Sequence, residues 1–394
     1  MRKIMEDKMS KLDVSRFFQI KPGIYYGKDS IEELRNHNFK TVCIVTDEGM
    51  VKFGLLKMVT DVLEKYNMAY HVFSGVQPDP TSDIVQAGLI HILTEKPDAL
   101  IALGGGSSID TAKAIIYYCS KLAETILGEK GAIKKPYFIA MPTTAGTGSE
   151  VTEYAVITDK ETHTKIPLTD SIMMPDAAIL EPKLIESVPA NVTAATGMDV
   201  LTHAIESYVS LQNNPFSRCY SGKATEMVFK SLYDSYIHGD DLESKASMQI
   251  ASCMAGVAFN SAGLGICHSI AHAVGAEWHI PHGLANAIIL PYVIEFNGQD
   301  SRTEYLYNRL LSTIGIPNVS GNATRTLTTS IRLLAVEVDI PKTLKEQGIE
   351  EENFKKAKAG IIKRAMGDVC TQTNPIAVTE TDIDHLLDLI YYGE

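Results

Sequence analysis

Up to about Pro189 the chain alternates two periodicities, and after that only one of them remains. Short runs rich in β-branched and aromatic residues, at 18–26, Thr41 to Val45, Tyr70 to Phe73, Ala99 to Leu103, Tyr137 to Met141 and Ala177 to Leu180, are separated by stretches with helical spacing. Strands interleaved with helices demand crossover connections, which run right-handed between parallel strands, so a mainly parallel, doubly wound sheet is predicted. From Val188-Pro189-Ala190 onward the β signal disappears, and long helical patterns broken at Gly239, Pro281, Pro291 and Pro317 run to the end. The expected division is a tail at 1–16, an α/β domain at 17–189 and an all-helical domain at 190–394. With 394 residues the chain is long enough for two sizeable cores. No internal repeat or low-complexity stretch interrupts it.

Two glycine loops follow two of these strands. In DALIALGGGSSIDTAKAI an apolar run leads directly into Gly104, Gly105, Gly106, Ser107 and Ser108 and then into a helix. Backbone N–H groups exposed at a helix N-terminus suit a pyrophosphate, although GGGS lacks the GxGxxG spacing and a tight packing turn would also account for it. The second loop, PTTAGTGSE, offers Thr143, Thr144, Thr147 and Ser149 as donors to phosphate or ribose oxygens. Two such loops together point to a dinucleotide. Asp47, at the end of an earlier strand, either caps the next helix or accepts the adenosine ribose hydroxyls; in the second role it would repel a 2′-phosphate and favour NAD over NADP.

In the second half, GMDVLTHAIESYVS and CHSIAHAVGAEWHIPHG supply candidate metal ligands. Asp199 and His203 are four apart and share a helix face. Met198, Leu201, Ile205 and Tyr208 form an apolar stripe beside them, so the segment reads as an amphipathic helix with two ligands on its rim. His268 and His282 would complete an N/O set, with Gly283 expected to end the local helix. Five of the eleven histidines, 203, 268, 272, 279 and 282, fall in these two segments. A buried imidazole without a partner is costly, which favours ligation over simple packing, but the donor set accepts Zn, Fe(II), Co or Ni.

These four motifs, in this order and at these separations, resemble the iron-containing (group III) alcohol dehydrogenases from about Phe17 to the C-terminus. TGMDVLTHAIE, FNSAGLGICHSIAHAVG, HGLANAIILP and DVCTQTNP are most similar to the propanol dehydrogenases of propanediol utilisation. The resemblance implies that Asp199, His203, His268 and His282 hold Fe(II), or Zn in some relatives, and that His272 transfers a proton. It implies NAD(H) contacts at Asp47, Asp79, Gly105, Gly106, Ser107, Asp110, Thr143, Thr144, Thr147, Ser149, Lys165 and Leu184. Asp79 stands where many relatives have asparagine. Tyr154, Phe259 and Cys370 would line a small, largely apolar substrate pocket. The implied reaction interconverts a short-chain alcohol and its aldehyde, such as 1-propanol and propanal: the metal polarises the substrate oxygen and hydride moves between the substrate carbon and the nicotinamide. Ethanol, butanol, lactaldehyde and 1,3-propanediol are alternative substrates. Glycerol dehydrogenases and dehydroquinate synthases share the fold plan but bind Zn through one Asp and two His, so His203 favours the alcohol dehydrogenases. A metal-tied scaffold without catalysis would need neither glycine loop.

Composition narrows the partners. A net charge of −12 argues against nucleic acid, which requires clustered Lys and Arg. No run of about eighteen apolar residues is present, so no membrane partner is expected. Six cysteines without CxxC pairs fit a reducing cytoplasm, and the expected assembly is a homodimer or higher homo-oligomer. In MRKIMEDKMSKLDV, Ile4, Met5, Met9 and Leu12 recur at near-helical spacing. The propanol dehydrogenases named above work in bacterial microcompartments, whose enzymes often carry such tails, so a shell partner is a further expectation; a frayed terminus is the alternative.

Overall fold

The computed structural model describes residues 17–127, 134–161 and 164–393; the tail at 1–16, with its expected helix, lies outside them. The strands are β1 (Gly23–Tyr26), β2 (Thr41–Asp47), β3 (Ala69–Val76), β4 (Ala99–Gly104), β5 (Tyr137–Pro142), β6 (Tyr154–Thr158), β7 (Lys165–Thr169) and β8 (Ala177–Leu180). Six of them form one sheet in the order β1-β8-β5-β4-β2-β3, with every pairing parallel. Its central strands are covered on both faces, which is why ALIALG is buried at all six positions and reads as an unbroken apolar run.

Helices α1 (Glu48–Lys52), α2 (Leu55–Lys65), α3 (Ser82–Glu95) and α4 (Gly106–Leu127) supply the cover. Cys43 and Val45 of β2 pack with Leu100 and Ala102 under α3 and α4, whereas Val42 and Ile44 pack with Ile101 and Leu103 against α2. The two-residue alternation of a strand thus divides each strand between two cores. The chain steps from β2 outward to β3 and then returns to the other side of β2 as β4. That reversal is the topological switch point, where the carboxyl ends of β2 and β4 open a crevice.

The first strand begins at Gly23, later than the sequence suggests, because Pro22 has no N–H to donate and Phe18 is drawn away to stack on Phe216 and Tyr220. The β6–β7 hairpin escaped the sequence reading. Its strands are five residues each, and one contains Pro167. It is antiparallel, docks through Thr158 on Pro80 and carries Tyr154 and Lys165.

From Ala190 on, the described chain is helical: α5 (Ala190–Val209), α6 (Pro215–Ile237), α7 (Leu242–Ala262), α8 (Ile266–Trp278), α9 (His282–Asn297), α10 (Ser301–Ile314), α11 (Ala323–Glu337), α12 (Glu351–Gly367) and α13 (Glu380–Tyr392), with short 3-10 turns between some of them. Helix α5 is buried nearly all round, Thr202, His203, Glu206 and Ser207 included. It is a central helix, not an amphipathic one with ligands on its rim. Pro291 does not break α9, whose Ile288 to Ile294 are all buried. Burial of those side chains, at about 1.5–3 kcal/mol for each large aliphatic one, offsets the lost hydrogen bond. Gly283 likewise does not end a helix but sits in the first turn of α9. A Cβ there would lie 2.4 Å from the Ala195 carbonyl oxygen, so glycine is what lets α9 approach α5. Among the described residues no single helix is long and apolar enough to cross a membrane; α7 and α8 pass such a test only as a pair bent by 106°.

Candidate metal centre and nucleotide crevice

Helix α5 delivers Asp199 and His203, α8 delivers His268, and His282 opens α9. One ligand atom from each lies within 4.8 Å of all the others. Asp199, His203 and His268 are 3%, 5% and 1% exposed, whereas the His282 side chain is 42% exposed, so the cluster opens on one side only. His272 stands on that side, its ring stacked on His282 at 5.2 Å between centroids. Phe259 closes the opposite wall by stacking on His203 at 4.6 Å.

The donor atoms fit a cation. Burial, reinforced by the neighbouring imidazoles, holds His268 well below its ordinary pKa, so the ring is neutral and has a lone pair to give. Among the described residues its Nε2 and the Nδ1 of His203 are buried with no hydrogen-bond partner, an arrangement that native cores avoid. The other nitrogen of His268 is engaged: Nδ1 lies 2.5 Å from Glu206 Oε2, while Glu206 Oε1 accepts the Cys267 N–H at 2.7 Å. A carboxylate on Nδ1 fixes the tautomer that leaves Nε2 free to ligate. Asn286 reaches both Asp199 Oδ1 at 2.8 Å and His282 Nε2 at 3.1 Å.

Glu206, Asn286 and Asp368 were missed by the sequence reading. Glu206 is seven residues after Asp199 and three after His203, and Asn286 is four after His282, so helical spacing could have found both. Asp368 could not be found that way, because it lies almost a hundred residues from the His272 Nδ1 it meets at 2.8 Å. It also accepts the Cys370 N–H at 2.8 Å, and burial pushes the Cys370 thiol pKa well up.

At the switch point Asp47 ends β2 and Gly104 ends β4. Asp47 caps α1 by accepting the Met50 N–H at 3.2 Å and lies 3.5 Å from Ser108 Oγ. Gly104 has φ 149°, and a Cβ there would be 2.3 Å from Ser108 Oγ, so no other residue fits. The threonine loop packs on the glycine loop: a Cβ at Gly105 would meet Thr144 at 3.6 Å, and one at Gly106 would meet Thr147 at 3.0 Å. Gly146 in turn lies against Thr196, one helical turn before Asp199. The crevice and the metal cluster are therefore joined by this one loop. Thr143 is buried, and Ser107 lies in the first turn of α4.

Other candidates are placed differently. Asp79, with φ 55°, lies in the loop after β3 and pairs with Lys165 of the hairpin, both side chains largely exposed. Leu184 is wholly buried in the core beneath the sheet. Asp110 and Ser149 are turned toward a buried lysine that the sequence reading overlooked: Lys113 Nζ donates to Ser149 Oγ, Thr152 Oγ1 and the Tyr154 carbonyl at 2.8, 2.9 and 2.8 Å. Ser149 passes its proton to Asp110 Oδ1 at 2.8 Å. Burial lowers the Lys113 pKa to about 8 against the attraction of Asp110, and raises that of neighbouring Glu150 to about 7.

A parallel-sheet nucleotide crevice set against a buried His/Asp cation site defines a metal-assisted, dinucleotide-dependent oxidoreductase architecture. The chain belongs to the iron-containing alcohol dehydrogenase family: residues 22–182 match the iron-containing alcohol dehydrogenase model, and 193–391 match the C-terminal model of the Fe-containing family. It is 40% identical to an NADPH-dependent butanol dehydrogenase of Clostridium saccharobutylicum, over 95% of this chain and 98% of that one. It is 36% identical to the 1-propanol dehydrogenase PduQ of Citrobacter freundii, over 94% and 98%. Among solved structures, an iron-containing alcohol dehydrogenase from Thermococcus thioreducens superposes with a TM-score of 0.87 at 29% identity, over 96% of this chain and 100% of that one. A sulfoacetaldehyde reductase from Bifidobacterium kashiwanohense, in complex with NAD+, gives 0.85 at 26%, over 97% and 100%.

Proposed function

We propose that this enzyme interconverts a short-chain primary alcohol and its aldehyde, 1-propanol and propanal foremost, with NAD(H) as the hydride partner and Fe(II) at Asp199, His203, His268 and His282. The observation that carries this reading is the unpartnered, buried Nε2 of His268 facing an Asp/His cluster whose only open side leads past His272. When bound, the ion supplies a Lewis acid for the substrate oxygen. The nicotinamide supplies the hydride acceptor or donor. Phe259, Tyr154 and Cys370 give the pocket an apolar lining that suits a small carbon chain, and one methylene in such a pocket discriminates by only about 1–3 kcal/mol. Overlapping turnover of ethanal, propanal and butanal follows. His272 takes or gives the proton at its outer nitrogen, Asp368 holding the other at 2.8 Å.

The backbone N–H groups of Gly105, Gly106 and Ser107 at the start of α4, with Thr143, Thr144 and Thr147 opposite, cradle the pyrophosphate. Asp79 and Lys165 border the same dinucleotide, Leu184 supports the site only from the core beneath it, and Asp47 faces the adenosine ribose. A carboxylate at that strand end supports NAD even though the butanol dehydrogenase relative is named for NADPH. Loading the protein anaerobically with Fe(II) and following propanal reduction by loss of NADH absorbance tests the reading. No turnover of any aldehyde from ethanal to butanal would defeat it, and turnover faster with NADPH than with NADH would defeat the role given to Asp47. Element analysis of anaerobically purified protein separates Fe from Zn.

We further propose a two-part organisation at Pro189, a homodimeric assembly and, by likeness to the propanediol-type relative, residence in a microcompartment. Light scattering tests the assembly. Deleting residues 1–15 and assaying co-purification with shell proteins tests the residence, which unchanged co-purification would rule out.

A further inference from the structure

Among the described residues Lys113 is the largest charged side chain to be wholly buried, at 0% exposure, and it lies on α4 two turns behind the glycine loop. An ammonium has three protons and needs three acceptors. Here it has Ser149 Oγ, Thr152 Oγ1 and the Tyr154 carbonyl, all within 2.9 Å. These acceptors are consecutive stops on a single segment, which leaves the threonine loop, turns at Ser149–Val151 and enters β6 at Tyr154. The carboxylate that balances the charge, Asp110, sits on the same helix. It accepts from Ser149 Oγ at 2.8 Å and from the Val156 N–H at 3.0 Å, so it grips the segment at two further points. The other carboxylates facing the ammonium are Glu150 and Glu153. Ser149 thus accepts from Lys113 and donates its one proton to Asp110, so it has no O–H left to offer a phosphate or ribose oxygen.

We infer that Lys113 is a positioning residue which, through Ser149, Thr152 and the Tyr154 carbonyl, locks the threonine loop and the Tyr154 wall of the substrate pocket onto the glycine-loop helix. Ser149 and Asp110 accordingly act on the dinucleotide through Lys113 and do not contact it. The inference rests on the dinucleotide reading above. It replaces direct contact at two of the expected cofactor residues by an internal clamp. The acceptors are arranged around a tetrahedral cation, which a planar guanidinium does not match, so Lys113→Arg should fail as Lys113→Met does.

The test is a double-mutant cycle on the Fe(II)-loaded enzyme, with Ser149→Ala, Lys113→Met and the pair, reading kcat and KM for NADH together with NADH affinity by fluorescence quenching. Ser149→Ala should raise the NADH KM about tenfold, the loss of one charge-assisted contact, and Lys113→Met, which empties three, at least as much, with kcat at saturation kept within about twofold and metal content unchanged. The pair should be no worse than the weaker-binding single. Effects that multiply in the pair would mean that Ser149 meets the cofactor directly and would overturn the inference, as would a Lys113→Met enzyme with unchanged NADH affinity. If Lys113→Met is insoluble, Thr152→Val removes one acceptor and should give a smaller rise of the same kind; no rise there also overturns it. Wild-type protein that quenches with neither NADH nor NADPH would instead sink the dinucleotide reading, a separate outcome.

Discussion

Replacing Glu206 by glutamine isolates what a carboxylate contributes behind a metal-ligating imidazole. With an ion on Nε2 the His268 proton must sit on Nδ1, and Glu206 then takes two hydrogen bonds, from His268 Nδ1, 2.5 Å away, and from the Cys267 N–H at 2.7 Å. A glutamine has one acceptor oxygen for these two donors. If that oxygen stays with Cys267, the amide NH2 faces Nδ1, the proton must move to Nε2, and the atom that should meet the ion carries hydrogen instead. If the amide turns over, its NH2 opposes the Cys267 N–H in a site that is 3% exposed for Glu206. Either way a buried donor is left unsatisfied, at about 1–3 kcal/mol. That is a drop of about ten- to a hundredfold in metal affinity, the range typical of such supporting residues. The metal-free protein should change less: burial raises the Glu206 pKa to about 8, so without the ion the shared proton can rest on Oε2 and point at Nδ1, and a glutamine NH2 donates to Nδ1 in its place. The assay is anaerobic titration with Fe(II) or Zn against a competing chelator, alongside thermal unfolding of the stripped protein. Glu206→Gln that binds the ion within about twofold of wild type would refute the tautomer argument.

His268→Ala should abolish metal retention and turnover while leaving dinucleotide quenching nearly intact, since the glycine and threonine loops lie on other elements; loss of quenching with full metal content would contradict this. Glu150 is 1% exposed, and burial raises its pKa from 4.5 to about 7, so the folded state holds a proton that the unfolded chain has released. Its contribution to stability is complete below pH 4.5 and is lost as the pH rises to about 7, by up to about 3 kcal/mol. Denaturant unfolding should show Glu150→Gln gaining on wild type across that window and level above it, and a pH-independent difference would dismiss the claim. A Cβ at Gly256 would lie 2.7 Å from both the Gly148 carbonyl oxygen and Val151 Cγ2. Gly256→Ala should therefore cost about 1–3 kcal/mol and raise the NADH KM by pushing the threonine loop off α7; an unchanged melting temperature would show that the contact yields freely.

What the sequence revealed and what it hid divide along the range of the forces involved. Four of the six sheet strands, β2, β4, β5 and β8, were legible as buried apolar runs, and the edge strands β1 and β3 by their β-branched and aromatic residues; both signals are local properties. The clustering of Asp199, His203, His268 and His282 was legible for a related reason: Asp199 and His203 share one helical turn, and so many imidazoles in two short segments call for a common partner. The β6–β7 hairpin was hidden because its pairing is what makes it a strand, and its stability comes from docking on Pro80 and on Lys113, far away in the chain. Helix α5 misled in a different way. Its apolar stripe suggested a rim, yet its polar face is buried too, since Asp199, His203 and Glu206 meet groups on α8 and α9 that a helical wheel cannot show.

Lys113 marks the limit most clearly. In DTAKA it reads as an ordinary surface residue of an amphipathic helix, and the lysine prior is strongly toward exposure. Its burial is intelligible only once Ser149, Thr152 and the Tyr154 carbonyl, 36 to 41 residues onward, are seen to converge on one ammonium. A buried cation without such acceptors would shed its proton or unfold its surroundings. With them, it fixes the one segment that runs from the nucleotide crevice to the substrate wall. Behind the glycines and imidazoles that announce the chemistry thus stands a long-range polar clamp, whose members look unremarkable one at a time.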